Sequence, residues 1–410
     1  MLAKIDEVIL WYNRGQIPTR HLVYKVKALS QSLLSLVWDF GTLNSASSQS
    51  VSRTLKRNVE DVYIHKMMET FNQANQSNPE ELSFGHQAAV MADIDECSFV
   101  SLRDVQRLLV VAGWFYSHRN LIFPAIDGLA HESSYELNSD DEEEQTPTIN
   151  PNGDYTTRSL VLAIGVCYVV RLEDSTRTAY AEFIKEKIET LIGDGPSKNL
   201  YKMSGSDFLF HQLDLCQDMF INEVMNVEVY KNIAKSKALK ENVFMMIVSI
   251  QNRIPLFLVG KPGSSKSLST KVVINAMKGK SSESSIFREM KRAYMVSFQC
   301  TRHTTSVGIG SVFNHCADFQ EGQDLSAFVS VVVLDNIQLA EYSENMPLKT
   351  LHLLLEDGCE GNSIAPEPSY MKCAFVGISN WALDPTKMNR GLFVQRGTPK
   401  PLELEQIAKY

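Results

Sequence analysis

The chain is poor in the features that would place it in an oxidising compartment or a membrane. Its seven cysteines, at positions 97, 167, 216, 300, 316, 359 and 373, form no CxxC pair and no Cys/His grouping with zinc-ligand spacing. They read as free thiols, which excludes a disulfide-stapled secreted scaffold. No run of about 18 or more uncharged apolar residues occurs, so no membrane span is expected. The opening "MLAKIDEVILWYNRGQ" carries Asp6 and Glu7 inside its apolar stretch, unlike a signal peptide. A basic excess is also missing: 40 Lys and Arg stand against 48 Asp and Glu, for a net charge of -8. Nucleic acid is therefore not an expected partner. What remains is an ordinary globular composition, 44% hydrophobic and 21% charged over 410 residues. It is enough for two or three domains, and the expected location is the cytoplasm.

Helical spacing dominates the first part of the chain. "IDEVILWYNRG" and "HLVYKVKALSQSLLSLVWDF" place apolar residues three and four apart, and "SLRDVQRLLVVAGWFYSH", 101–118, predicts an amphipathic helix capped by Ser101. The acidic run Asp140–Glu144 lies among Ser, Thr, Pro, Asn and Gly, so 132–155 is expected to be a linker or mobile loop. Helical patterning returns in "RSLVLAIGVCYVVRL" and "TAYAEFIKEKIETLIG", which gives a helical connector over 156–236. From 237 the pattern changes. A helix over 237–253 leads into apolar strands at 255–259, 293–299, 329–334, 373–379 and 391–395, with helical stretches between them. Such alternation predicts an α/β fold with a parallel sheet and flanking helices over 237–410.

The motif with the most specific chemistry is "GKPGSSKSL", comprising Gly260, Lys261, Pro262, Gly263, Ser264, Ser265, Lys266, Ser267 and Leu268. It nearly fits G-x-x-x-x-G-K-[ST], between a strand and a helix. In that setting backbone N–H groups and the helix N-terminus form a nest for phosphates. Lys266 would reach the β- and γ-phosphates and the Ser267 hydroxyl would ligate magnesium. Ser265 stands where the pattern wants glycine, so strain or crowding is expected there. A Gly/Ser-rich turn with a chance lysine is the plain alternative. Asp335 ends the apolar strand "VVVLD" and suits a second magnesium-shell ligand. The next residue, Asn336, stands where an ATPase usually has a water-polarising glutamate. Asn380 follows the strand ending at Ser379, placed to hydrogen-bond the γ-phosphate or attacking water. Arg390 precedes the last strand and could stabilise charge on a neighbouring site. Taken singly, Asn380 would be a turn residue and Arg390 a surface charge.

In this order the parts resemble the P-loop large subdomain of AAA+ ATPases. The wording "PLFLVGKPGSSKSL", "VSFQC", "MPLKTLHLLLEDG" and "VGISNWALDPTKMNRGLFVQRG" further resembles the mysterin family, giant RING-type E3 ubiquitin ligases with a dynein-like AAA+ core. "LVWDFGTL" and "CSFVSLRDVQRLLVVAGWFYSH" resemble the end of the preceding AAA+ unit, so 1–131 would be lid-like. The resemblance gives Arg103, in "SLRDV", a nucleotide-contacting role toward that upstream site. It implies ATP and Mg2+ as cofactors and neighbouring AAA+ units of one long chain as partners. Ubiquitin-pathway proteins would be partners of the full-length family member, and lipid-droplet association is allowed. The chain stops at Tyr410, before a lid for this unit would be expected, and no Cys/His cluster of a RING is present. It therefore reads as an internal piece of that architecture. The reading is an ATP-binding module with hydrolysis impaired at Asn336. An active mechanochemical unit, using Glu341 or Glu344, and a nucleotide-free scaffold are the alternatives.

Overall fold

The computed structural model describes residues 102–137, 151–172, 177–178, 180–182, 207–225, 230, 233–359 and 369–396. These lie within the compact unit Leu55–Tyr410. The two earliest helices read from the sequence, and the acidic run Asp140–Glu144, lie outside the described residues.

Among the described residues the first four helices are α1 (Leu102–Ser117), α2 (Arg119–Leu137), α3 (Pro151–Cys167) and α4 (Asp207–Met225). Helix α2 runs into the expected linker to 137 and α3 starts at 151, so both ends of 132–155 are helical. Next come α5 (Lys237–Asn252), β1 (Leu256–Gly260), α6 (Lys266–Ala276), α7 (Ser285–Arg288) and β2 (Arg292–Gln299). They are followed by α8 (Ser306–Gln320), β3 (Phe328–Asp335), α9 (Ile337–Glu341), α10 (Leu351–Glu356), β4 (Ala374–Ser379), α11 (Pro385–Met388) and β5 (Leu392–Arg396). All five expected strands form, each within a residue of its expected ends. Helix α5 starts on a Ser236 cap whose side chain accepts from the Leu239 N–H.

The strands form one parallel sheet in the order β2-β3-β4-β1-β5. β4 is buried along its whole length and β3 along all but its last residue, because helices cover both faces, as parallel sheets require. Alternation sorts the side chains into two cores. Leu256, Leu258, Val331, Val333, Val376 and Val394 face the helices α1 to α6. Phe257, Val259, Val332, Leu334, Phe375 and Phe393 face α8, α9 and α10. The upstream helices thus share a core with the sheet, and the boundary expected at 237 falls inside continuous packing. β2 is the partly exposed edge.

Charge ties the upstream helices to the sheet. Asp104, 1% exposed on the first turn of α1, accepts from Arg107 Nη1 at 2.8 Å and from Arg171 Nη2. Arg107 also donates to the carbonyls of Asn389 at 3.1 Å and Gly391 at 3.3 Å, just before β5. Arg171 lies over the Phe393 ring at 5.3 Å. Burial lowers the Arg107 pKa. It pulls on Arg171 too, but the Asp104 charge and hydrogen bond reverse the effect and leave Arg171 raised. Gly391 has no room for a side chain, since a Cβ there would sit 2.6 Å from the Pro255 carbonyl oxygen.

Removing the shared anion leaves two buried guanidinium groups without their countercharge. Asp104→Ala is expected to cost about 3–5 kcal/mol of unfolding free energy, measured by urea denaturation. A loss under about 1 kcal/mol would show that the cluster is not what joins α1 to the sheet.

Candidate functional site

The parallel sheet sends the ends of β1, β3 and β4 to one edge, where loops carry the polar residues. Gly260 is the last residue of β1, paired with Arg396. Beyond it Lys261, Pro262 and Gly263 are exposed. Gly263 takes a positive φ of 89°, and beyond its chain neighbours no atom lies within 4 Å of where a Cβ would sit, so the turn is open at that point. Ser264 is buried and its Oγ donates to the Lys261 carbonyl at 2.9 Å. Ser265 occupies the left-handed region at φ 58°, ψ 16°, immediately before α6. This is the position where the motif wants glycine, and the expected strain is present: a left-handed non-glycine residue costs about 1–3 kcal/mol. Ser267 is exposed on the first turn of α6, and Leu268 packs partly against the core.

Lys266 is 6% exposed. Its ammonium donates to the carbonyls of Gly260 and Lys261 (3.0 Å) and to Ser264 Oγ at 3.0 Å. Burial lowers its pKa while the nearby Asp335 carboxylate opposes the shift. The cation therefore lies inside the loop, within the field of Asp335. The loop is braced from behind by Asn242 of α5, fully buried, whose Nδ2 donates to the Ser264 carbonyl at 3.0 Å. Sequence reading missed Asn242; its only signal was a polar residue in the apolar run "NVFMMIVSI".

At the ends of β3 and β4 the structure joins two residues that the sequence named separately. Asn336 Oδ1 accepts from Asn380 Nδ2 at 3.5 Å and from Gln338 Nε2 at 3.4 Å. Asp335 Oδ1 accepts the Asn336 N–H at 2.9 Å. Asn336 has φ 52° and ψ 38°, a left-handed conformation that Asn tolerates better than Glu does. The backbone thus supplies a reason for asparagine here that is independent of chemistry. Glu341 is engaged elsewhere: its Oε1 accepts from Lys387 Nζ at 2.7 Å and the Asp384 N–H at 2.9 Å. Glu344 is exposed.

Arg390 lies at the other edge of the sheet. The Leu392 N–H donates to the Pro255 carbonyl at 2.8 Å, so Arg390 sits before β5 begins, roughly 20 Å of strand length from the level of Gly260. Its guanidinium pairs with Glu356 and meets His352 Nδ1 at 3.2 Å. Arg103, half-exposed on α1, pairs with the same Glu356 oxygen at 2.6 Å. The sequence assigned both arginines to a site other than Gly260–Leu268, and the structure brings them together through a carboxylate that sequence reading did not single out.

Two substitutions test the loop. Ser265→Gly relieves the left-handed strain and is expected to raise stability by about 1 kcal/mol in urea denaturation, after the entropy that glycine adds to the unfolded chain is offset. Asn242→Ala leaves the Ser264 carbonyl unpaired in the interior and is expected to lower stability by about 1–3 kcal/mol. Unchanged unfolding midpoints in both would remove the case for a strained, braced loop.

Residues 232–403 match the family model described as the RNF213 AAA domain. The chain is 44% identical over 398 residues to the E3 ubiquitin-protein ligase RNF213 of Homo sapiens, and 43% identical over 409 residues to that of Mus musculus. It is 42% identical over 396 residues to the E3 ubiquitin-protein ligase rnf213-beta of Danio rerio. Each alignment covers 96% of this chain and 7% of the relative, so the chain spans a small part of the length of these ligases. The parallel sheet, its flanking helices and these matches agree: the chain belongs to the RNF213, or mysterin, family, and its sheet is that of an AAA+ module.

Proposed function

We propose that this module binds Mg-ATP at Gly260–Leu268 and hydrolyses it slowly, so that the nucleotide mainly sets the angle between neighbouring AAA+ units of one long chain. The observation that carries the reading is the convergence of the open turn at Gly263, the buried Lys266 and the Asp335 carboxylate at one sheet edge. The donor set fits the cofactor. Backbone N–H groups at the start of α6 suit phosphate oxygens, and a hydroxyl with one carboxylate suits magnesium, which keeps several waters and takes oxygen ligands from the phosphates. Among the described residues no cluster of three or more His, Cys, Asp or Glu could hold a metal ion. Bound magnesium would supply charge neutralisation between the phosphates.

Slow hydrolysis follows from Asn336. An amide can orient water through its oxygen but cannot take up a proton, and general-base catalysis is worth about 10²–10⁴ in rate. That oxygen is already shared by the amides of Gln338 and Asn380. Glu341 is engaged by Lys387, which weakens the alternative of a displaced water-polarising carboxylate. Arg103 and Arg390 are read as facing the nucleotide of the preceding unit, the first from a lid-like helix and the second in trans. Through the full-length family member the module would serve ubiquitin transfer in the cytoplasm. Among the described residues no helix is long and apolar enough to cross a membrane.

ATP with magnesium is expected to raise the thermal midpoint of the chain, because a ligand bound only by the folded state stabilises it by RT ln(1 + [L]/Kd). Lys266→Ala should abolish most of that shift; equal shifts in both proteins would rule out the phosphate loop as the binding site. In a ring assembled with neighbouring units, Asn336→Glu should raise ATP turnover at least tenfold with similar affinity. The same substitution should cost about 1 kcal/mol of stability, since Glu is placed in a left-handed conformation. Brisk turnover in the unmodified ring that Asn336→Glu leaves unchanged would favour an active unit instead.

A further inference from the structure

Between α1, the start of β5 and the end of α10 runs a groove of about 610 Å³. Among the described residues its charged lining is one-sided: Arg103, Arg107, Arg253, Lys372 and Arg390 against the carboxylate Glu356. Several donors are poorly used. Among the described residues, Arg390 Nε, Arg253 Nε and the neighbouring His352 Nε2 are buried without a hydrogen-bond partner. Burial first, and then the Arg253 charge, push the Lys291 ammonium down to about 8. His352 is held below its ordinary range by burial and by Arg390, so its Nδ1 can accept from that guanidinium as a neutral ring.

One oxygen, Glu356 Oε1, is ion-paired with both Arg103 and Arg390. The two arginines differ in freedom. Arg103 has a side chain 51% exposed, whereas that of Arg390 is 16% exposed and its two Nη groups are taken up by Glu356 and His352. An anion entering the groove can meet Arg103 directly, but it reaches the Arg390 fork only after the carboxylate leaves. Glu356 itself is 35% exposed, at the last residue of α10, and has solvent to swing into. Two cations sharing one carboxylate oxygen is also the arrangement that a bridging phosphate oxygen would adopt.

We propose that Glu356 is an intramolecular stand-in for phosphate: it occupies the anion position between Arg103 and Arg390, and a polyphosphate chain carried by a neighbouring unit engages the pair only by displacing it. The inference rests on the reading of the two arginines as phosphate-facing and adds the residue that holds them off. Without a neighbour, Glu356 neutralises part of the groove and keeps Arg390 folded against its own chain. With one, exchange of carboxylate for phosphate couples the end of α10 and the start of β5 to the arrival of the next nucleotide. A carboxylate that stayed in place would repel the incoming charge, so phosphate engages the pair only as the carboxylate leaves.

The test uses the full chain with Lys266→Ala, so that the phosphate loop does not contribute, titrated calorimetrically with inorganic tripolyphosphate at low salt. Glu356→Gln keeps the shape and removes the charge, and is expected to tighten binding roughly five- to tenfold. The gain should vanish when Arg390→Gln is added. Equal or weaker binding in Glu356→Gln, no binding to either protein, or a gain that survives Arg390→Gln overturns the proposal. ATP is expected to bind this groove no more tightly than tripolyphosphate, because only phosphates are read. A tenfold preference for ATP would mean a complete nucleotide site here and would overturn the neighbour-held source. Failure of nucleotide binding at the phosphate loop is seen separately, in the thermal shift of the chain with Lys266 intact.

Discussion

The contact between Asp104 and the two buried arginines, Arg107 and Arg171, is the constraint on which the placement of α1 against the sheet depends. A carboxylate 1% exposed is costly to dehydrate and holds its place only because two guanidinium groups and their hydrogen bonds compensate it. Apolar packing alone would let α1 slide against the sheet, since hydrophobic burial is non-directional. The charge cluster and the Arg107 bonds to the carbonyls of Asn389 and Gly391 fix the register of α1 against the start of β5. Arg103 lies one residue from Asp104 on α1, and Arg390 lies between the two carbonyls that Arg107 holds. The meeting of both with Glu356 is thus a consequence of this buried cluster.

The sheet edge that carries Gly260–Leu268 is organised by backbone conformation as much as by side-chain identity. Ser265 and Asn336 both take left-handed φ values, and both depart from the residue expected in an active ATPase. They pull in opposite directions. Serine at 265 accepts strain that glycine would avoid, whereas asparagine at 336 suits the conformation it occupies. Backbone conformation alone therefore gives a reason for asparagine at 336, because a glutamate there would cost backbone energy. Asn242 shows the complementary device: a buried amide in the helix behind the loop holds the Ser264 carbonyl in place.

Much of the fold was legible because β-branched and aromatic runs bounded by polar turns mark the strands of a buried parallel sheet directly. "PLFLVG", "VVVLD" and "AFVGIS" formed strands within a residue of their expected ends. The loop "GKPGSSKS" was legible for a related reason, since its chemistry lies within eight consecutive residues. None of the six cysteines among the described residues is in a disulfide, in line with the reading of thiols, and all six are buried. Their grouping was not legible: Cys316, Cys359 and Cys373 come from three separate segments, and mutual hydrogen bonding together with burial raises the Cys373 thiol. Nor was the sharing of one core by the upstream helices and the sheet, which composition shifts at 132–155 and 237 had suggested dividing.

The sequence by itself determined the local matters: which segments are strands, where the loop between β1 and α6 begins, and that Asn336 follows Asp335. These depend on periods of two and 3.6 residues and on contiguous chemistry, which neighbouring residues carry among themselves. Tertiary structure decided whatever depends on residues distant in the chain. It joined Asn336 to Asn380, set Asn242 behind Ser264, and placed Glu356 between Arg103 and Arg390, partners separated by 44, 22 and as many as 253 positions. A long-range pair is fixed by how helices and sheet pack around a common core and by which buried charges must be compensated. Neither condition leaves a periodic trace in the order of the residues.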